Sequence, residues 1–309
     1  MSVAYLFPGQ GSQSVGMGRL LYTQHPEARA VFDQADAFLG YKLSELCIDG
    51  SEADLADTSV QQPAIFTTSL ARWALIEANA WPRADYVAGH SLGELTALTA
   101  AGCLSFVAGL QLANERGRLM ATYSRPGSMA AILGLDSRTV IRLCAKVAAE
   151  TKQVVTLAND NSPVQQVISG ETNAVRLVGL RAVEQGALKV IPLPISIASH
   201  CTLMTDVSAE FGKVLETAPL NAPRIPVISN LDSSILFTVP QIRQELTKQV
   251  TQCVRWRDSI QMLRNIGVDT FVDVGPSDVL HKLMRRINRT STRLSFDPES
   301  AAYPLSDAA

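Results

Sequence analysis

Two rhythms of apolar residues run along the chain. Val3–Phe7 is an unbroken apolar run stopped by Pro8, Tyr86–Ala88 runs into Gly89, and Thr270–Val274 ends at Gly275-Pro276. With Ile225–Ser229, these read as buried strands of a parallel sheet, apolar on both faces. Helical spacing appears near 14–24, 27–39 and 63–80, with Pro63 suited to a first helical turn. Helices between such strands predict an α/β fold. From about 127 to 194 the order becomes strand (Met129–Leu133), helix (Arg138–Glu150), strand (Val154–Ala158), strand (Gln166–Ser169), helix (Thr172–Gln185), strand (Leu188–Leu193). That is the βαββαβ order of a ferredoxin-like unit. Residues 127–194 are therefore expected to form a small domain inserted into a large one made of 1–126 and 195–295. The Ala-, Ser- and Pro-rich stretch 296–309 is expected to be a loose tail.

Composition narrows the function classes. The 309 residues are 47% apolar and 18% charged, which excludes disorder as the main state. A net charge of −2 and 6% aromatic residues supply neither the basic field nor the stacking surface of a nucleic-acid binder. Five cysteines, an odd number without a CxxC pair, suit a reducing cytoplasm rather than a disulfide framework or zinc site. Val3–Phe7 is too short for a signal sequence. Leu95–Asn114 is uncharged over 20 positions, but Gly102, Ser105, Gly109 and Gln111 interrupt it. Two buried helices joined by a turn fit it better than a membrane span.

Gly89-His90-Ser91-Leu92-Gly93 matches G-x-S-x-G with a strand before it and a helix after it, the context of a nucleophile elbow. The flanking glycines let the backbone turn sharply, and the helix N-terminus favours a developing oxyanion at the Leu92 amide. A structural Gly-Ser turn is the plainer alternative. A serine nucleophile needs a base, and there are only four histidines. His90 adjoins Ser91 on the turn, His25 lies in a turn between helices and reads as a solvated residue, and His281 sits among Lys282, Arg285 and Arg286. His200 follows the uncharged segment 194–199 where the small domain rejoins the large one, a place for a cleft. It is the preferred base, with a satisfied core histidine as its alternative. Arg116 has Leu112, Ala113, Leu119 and Met120 at helical spacing, whereas Arg118 faces Asn114 and Glu115. A charge in an apolar stripe needs a partner, either a distant acid or a substrate carboxylate.

Leu6-Phe7-Pro8-Gly9-Gln10-Gly11-Ser12-Gln13, Gly89-His90-Ser91-Leu92-Gly93-Glu94, Asn161-Ser162-Pro163, Ser199-His200-Cys201 and Val274-Gly275-Pro276 occur together and in order. By these motifs the chain resembles, over about residues 3–290, the malonyl-CoA:acyl carrier protein transacylases of fatty-acid synthesis and polyketide assembly. The resemblance implies an α/β-hydrolase-like parallel-sheet domain with an inserted ferredoxin-like domain. It implies that Ser91 is the nucleophile, His200 the base and the Gln249 carbonyl the group that orients His200. It also implies that the Gln10 and Leu92 amides form the oxyanion hole, that Arg116 binds the malonyl carboxylate, and that Asn161 contacts substrate. Malonyl-CoA and an acyl carrier protein are the expected partners, with no membrane or nucleic acid, and no metal or redox cofactor is implied.

Three stretches depart from the bacterial malonyl pattern: Ser124-Arg125-Pro126-Gly127-Ser128, Asp160 beside the expected acyl pocket, and Ile197-Ala198-Ser199-His200, whose ending is similar to methylmalonyl-type polyketide enzymes. They bear on the acyl group, not on the reaction class. A polyketide or malonate-decarboxylase acyltransferase is one alternative. A serine thioesterase or lipase is another, which would need an acid between Ser91 and His200 and no Arg116. A non-catalytic docking protein would not need Ser91, Arg116 and His200 together. For an acidic carrier, the candidate docking residues are Lys282, Arg285, Arg286 and Arg289, with Arg255 and Arg257 flanking Trp256; a solvated helix face is the plain reading of the first four.

Overall fold

Apolar strands without an alternating polar face need cover on both sides, and the chain supplies it with helices. The computed structural model describes residues 1–195 and 197–299. The first part of the chain runs β1 (Val3–Phe7), α1 (Arg19–Gln24), α2 (Pro26–Leu39), α3 (Leu43–Asp49), α4 (Glu52–Ala56), α5 (Thr58–Ala78), β2 (Tyr86–Gly89), α6 (Leu92–Ala100) and α7 (Phe106–Tyr123). Then come β3 (Ser128–Leu133), α8 (Ser137–Thr151), β4 (Val155–Ser162), β5 (Gln165–Gly170), α9 (Thr172–Glu184) and β6 (Lys189–Pro192). The last part is α10 (Thr205–Thr217), β7 (Val227–Ile228), β8 (Ile235–Leu236), α11 (Val239–Gln249), α12 (Trp256–Asn265), β9 (Thr270–Asp273), α13 (Val279–Ile287) and β10 (Thr292–Ser295).

The large sheet has the order β10-β9-β1-β2-β7-β8, all parallel except the β8 edge. The small sheet has the order β4-β5-β3-β6, with every pairing antiparallel. This is the mixed α/β architecture expected, a parallel sheet with a small ferredoxin-like subdomain. One apolar cluster packs β1 and β2 against α2, α5, α6 and α7; a second covers the opposite face with Val254, Trp256, Ile260 and Leu283. The uncharged stretch 95–114 is the end of α6, a turn and the start of α7, and no described helix is long and apolar enough to cross a membrane.

The site is positioned by strand register. Phe7 pairs with Gly89, and Ala88 pairs with Ile228, so β1, β2 and β7 end at the same edge. The loops that leave them carry Gln10, Ser91 and Asn230. Ligands of open parallel sheets bind beyond these carboxyl ends.

Several local expectations need correction. Pro63 is not in a first helical turn: α5 starts at Thr58 because Asp57 caps it, accepting from the Ser59 amide at 2.9 Å. The helical stretch near 14–24 narrows to α1, and α3, α4, β8 and β10 were too short to show periodicity. The first residues of the expected loose tail are anchored. Phe296 is 3% exposed, its ring lies 5.4 Å from Trp81, and its carbonyl accepts from Arg72 at 2.9 Å. His25 is not a free surface group, since its Nε2 lies 2.8 Å from the Pro298 carbonyl. Residues 300–309 of that tail lie outside the described residues.

The anchoring of Phe296 is testable by denaturant unfolding. Removing a buried aromatic ring costs about 3–5 kcal/mol, so Phe296→Ala should shift the unfolding midpoint clearly downward. An unchanged midpoint would mean the C-terminal segment adds nothing to the core.

Candidate active site

Ser91 has φ 54° and ψ −113°, a strained conformation for a residue with a side chain. The turn exists because its neighbours have no side chains. A Cβ on Gly89 would lie 1.9 Å from the Gly93 carbonyl group, and one on Gly93 would lie 1.9 Å from the Phe7 oxygen. Gly9 meets the same turn, for its Cβ would fall 2.4 Å from the His90 oxygen. The exit of β1 is thereby pressed against the elbow, with the Leu92 amide at the first turn of α6, where helix amides have no internal acceptor.

Ser91 Oγ donates to His200 Nε2 at 2.8 Å, and His200 Nδ1–H donates to the Gln249 backbone carbonyl at 2.8 Å. The carbonyl fixes the tautomer, leaving Nε2 as the free base. His200 is 3% exposed, itself at φ 63°, and its amide donates to the Val250 carbonyl at 2.9 Å. Burial first, and the nearby Arg116 charge second, push its pKa down to about 3. The imidazole is thus neutral and ready to accept a proton across the whole neutral range.

Arg116 is 3% exposed in the apolar stripe of α7. Its guanidinium donates to Gln62 Oε1 at 2.9 Å, to Gln249 Oε1 at 3.0 Å, and to Ser91 Oγ at 3.3 Å. All three acceptors are neutral. Burial lowers its pKa to about 10, and the nearest anionic influence, Glu94, acts from behind Gln249. Arg118, as expected, faces water and pairs with Glu115. The choice between a distant acid and an absent carboxylate therefore narrows, for no acid in the chain touches this guanidinium directly among the described residues.

His90 turns away from Ser91. Its Nε2 meets Asn161 Oδ1 at 2.8 Å, and its ring stands edge-on to Trp256 at 5.5 Å. Asn161 sits at a register shift of β4, and such bulges re-aim side chains. A cavity of about 930 Å³ opens between the two sheets, lined among others by Gln10, His90, Asn161, Val167, Pro194 and Leu280. Asp160 does not face this cavity: its carboxylate pairs with Arg257 at 2.9 Å, and its amide donates to the Val254 carbonyl at 2.9 Å. That also removes Arg257 from the free basic residues, and Trp256 between the two arginines is buried. His281 lies on α13, where its amide donates to Asp273.

Three residues of the site, Asn230, Glu245 and Gln62, escape sequence reasoning because they carry no exposed charge or periodic signal. Glu94 is marked only by its place in the elbow motif.

A strained serine, a neutral histidine fixed by a carbonyl and a buried cation at the hydroxyl are the parts that a serine–histidine acyl-transfer centre on an α/β sheet would need. The family model for the acyl transferase domain matches residues 4–298, and the chain belongs to that family. It is 40% identical over 302 residues to a malonyl CoA-acyl carrier protein transacylase of Bacillus subtilis, covering 96% of this chain and 94% of that one. The malonyl CoA-acyl carrier protein transacylase structure from Coxiella burnetii superposes with a TM-score of 0.94 at 36% identity, covering 97% and 96% of the two chains. A malonyl-transacylase in complex with its type II PKS acyl-carrier protein gives 0.91 at 36% identity, covering 96% and 95%.

The charge of Arg116 beside His200 has a sign that can be measured. Only the neutral imidazole can accept the Ser91 proton, so acylation of Ser91 should slow as pH drops through the His200 pKa. Removing Arg116 removes a repulsion that lowers that pKa. The acid limb of Ser91 acylation by p-nitrophenyl acetate, which has no carboxylate, should therefore move to higher pH in Arg116→Ala. A limb that does not move would show that the guanidinium is not felt at His200.

Proposed function

We propose that the protein transfers a malonyl group from malonyl-CoA to the phosphopantetheine thiol of an acyl carrier protein through an ester on Ser91. The observation that carries this reading is the buried Arg116 guanidinium, within 3.3 Å of Ser91 Oγ and held only by neutral groups. A planar cation that is desolvated and not neutralised is matched by a carboxylate, and malonyl carries one at the right end of a short acyl chain.

The geometry supports a double displacement. Ser91 Oγ gives its proton to His200 Nε2 and attacks the thioester carbonyl; the C–S bond breaks, and the CoA sulfur leaves with the proton from His200. In the second half the carrier thiol loses its proton to His200 and attacks the ester, and Ser91 recovers the proton. The Leu92 and Gln10 amides are assigned to the oxyanion in both halves. Asn161, whose oxygen is held by His90, is assigned to the pantetheine side of the cavity. The reaction asks for no metal or redox group, since a thiol and a thioester exchange an acyl group alone. A cytoplasmic setting belongs to the same reading and is supported by five free cysteines, four of them buried.

Incubation with malonyl-CoA alone should add about 86 Da to the protein, the mass of one malonyl ester. The adduct should be absent from Ser91→Ala and slow to form in His200→Ala, with His281→Ala unaffected. Arg116→Ala should lose about 30- to 5,000-fold in malonyl transfer, since a buried carboxylate loses its partner. Acetyl transfer should be kept or improved, because acetyl leaves Arg116 unsatisfied in the wild type. A malonyl-to-acetyl ratio that barely moves, in a variant folded by circular dichroism, would overturn the carboxylated substrate.

For the carrier, α13 and the segment after it offer a basic cavity of about 600 Å³ lined by Lys282, Arg285, Arg286, Arg289 and Arg293. Lys282 is partly spent on Asp278 at 2.7 Å. Reversing Arg285 and Arg286 to Glu should raise KM for the carrier more than KM for malonyl-CoA. A change confined to malonyl-CoA would place the carrier elsewhere.

A further inference from the structure

Behind the elbow lies a buried polar cluster that lines neither of the cavities described above. Asn230, 2% exposed, follows β7. Its Oδ1 accepts from the Ser91 amide at 2.8 Å, and its Nδ2 donates to the Gly89 carbonyl at 2.7 Å. One side chain thus bridges the two ends of the turn that lifts Ser91. A strained backbone persists only where its surroundings over-determine it, and Asn230 supplies that restraint from a separate strand.

Asn230 is itself held by two carboxyl groups. Its backbone N–H lies 2.8 Å from Glu94 Oε1 and 2.8 Å from Glu245 Oε1, so both oxygens converge on one hydrogen. Its Nδ2 also donates to Glu94 Oε1 at 2.9 Å. Two carboxyl oxygens on one N–H lie close together, and burial first, then the Glu245 carboxyl beside it, raises the pKa of Glu94 well above the ordinary carboxylate range, while burial raises that of Glu245. Both shifts favour a proton held in the pair over two negative charges. Glu245 is closed on its other side by Ser229 Oγ at 2.8 Å and the Leu231 amide at 3.1 Å. Glu94 Oε2 accepts from Gln249 Nε2 at 2.7 Å, and the same Nε2 lies 2.8 Å from the Ser91 carbonyl. Through Gln249 Oε1 the cluster reaches Arg116.

We propose that Asn230, seated on the carboxyl oxygens of Glu94 and Glu245, is a positioning residue that holds the nucleophile elbow in its reactive conformation. The pair contributes by presenting oxygens to Asn230 and Gln249 with a single charge rather than two. The inference rests on the acyltransferase reading for its substrate but not for its principal readout, the reactivity of Ser91.

The test compares Asn230→Ala, Glu245→Ala and Glu245→Gln in the full chain. Ser91 reactivity is followed with phenylmethylsulfonyl fluoride, and steady-state kinetics with malonyl-CoA and carrier. In folded Asn230→Ala, sulfonylation and kcat should both fall by about 10- to 100-fold, with KM for malonyl-CoA changed less than about threefold. Glu245→Gln places an amide N–H where the shared proton sits, and should recover at least about tenfold of the loss in Glu245→Ala. Wild-type sulfonylation in Asn230→Ala would overturn the positioning role. Equal losses in Glu245→Gln and Glu245→Ala would overturn the shared proton, and they keep the proposal open to refutation should Asn230→Ala fail to fold. Normal sulfonylation with lost malonyl transfer would count against the positioning role and not against the acyl substrate.

Discussion

The site depends on a backbone contact with no room for a side chain. Gly93 abuts the Phe7 carbonyl and Gly89 abuts Gly93, so strand β1, strand β2 and helix α6 meet at van der Waals distance. This closeness goes with the positive φ of Ser91, at the N-terminus of α6. Any Cβ at either glycine would push the elbow off β1. The His90 amide, donating to Phe7 oxygen at 2.9 Å, closes the same junction from the other side. Strand register then does the rest: because Ala88 pairs with Ile228, the chain beyond β7 reaches Ser91 without a long connection.

Electrostatics in the site follows from what is withheld. A buried arginine would ordinarily be paired with a buried acid, and that pair would be electrically closed to a substrate. Here an amide stands between them. Gln249 donates to Glu94 with its nitrogen and accepts from Arg116 with its oxygen. The carboxyl pair is satisfied and the guanidinium is oriented, yet its charge is not cancelled. The cost falls on His200, whose basicity is lowered by the same cation. Any carboxylate arriving at Arg116 would lift that penalty and make His200 more basic.

The parts legible in the sequence were those with local signatures. The elbow shows itself as Gly89-His90-Ser91-Leu92-Gly93, and Arg116 as a charge among Leu112, Leu119 and Met120. The ferredoxin-like unit appears because six elements follow in a fixed order, and the structure moves their ends by at most four residues. Asn230 was not legible, since a buried asparagine after a two-residue strand has no periodicity. Glu245 lies on the otherwise polar helix α11, where a carboxylate reads as solvated; only the fold brings it to Glu94, 151 positions away. Asp160 was misplaced because alternation along β4 is broken twice by register shifts, one of them adjacent to it.

The division of labour between the sheets explains why the insertion can sit so close to the chemistry without taking part in it. Among the described residues, the hydrogen-bond partners of Ser91 Oγ come from the large sheet's helices and loops: His200 before α10 and Arg116 on α7. The small subdomain contributes a wall of the cavity and one polar contact, Asn161 on His90. Its attachment is correspondingly firm, with Asp160 and Ala158 tied by backbone hydrogen bonds to Val254 and by the Asp160–Arg257 ion pair to α12. Nearly dry, that pair resists screening by salt far more than an exposed one. The wall of the cavity thus belongs to one sheet, while the Ser91–His200 and Ser91–Arg116 distances are set by elements around the other.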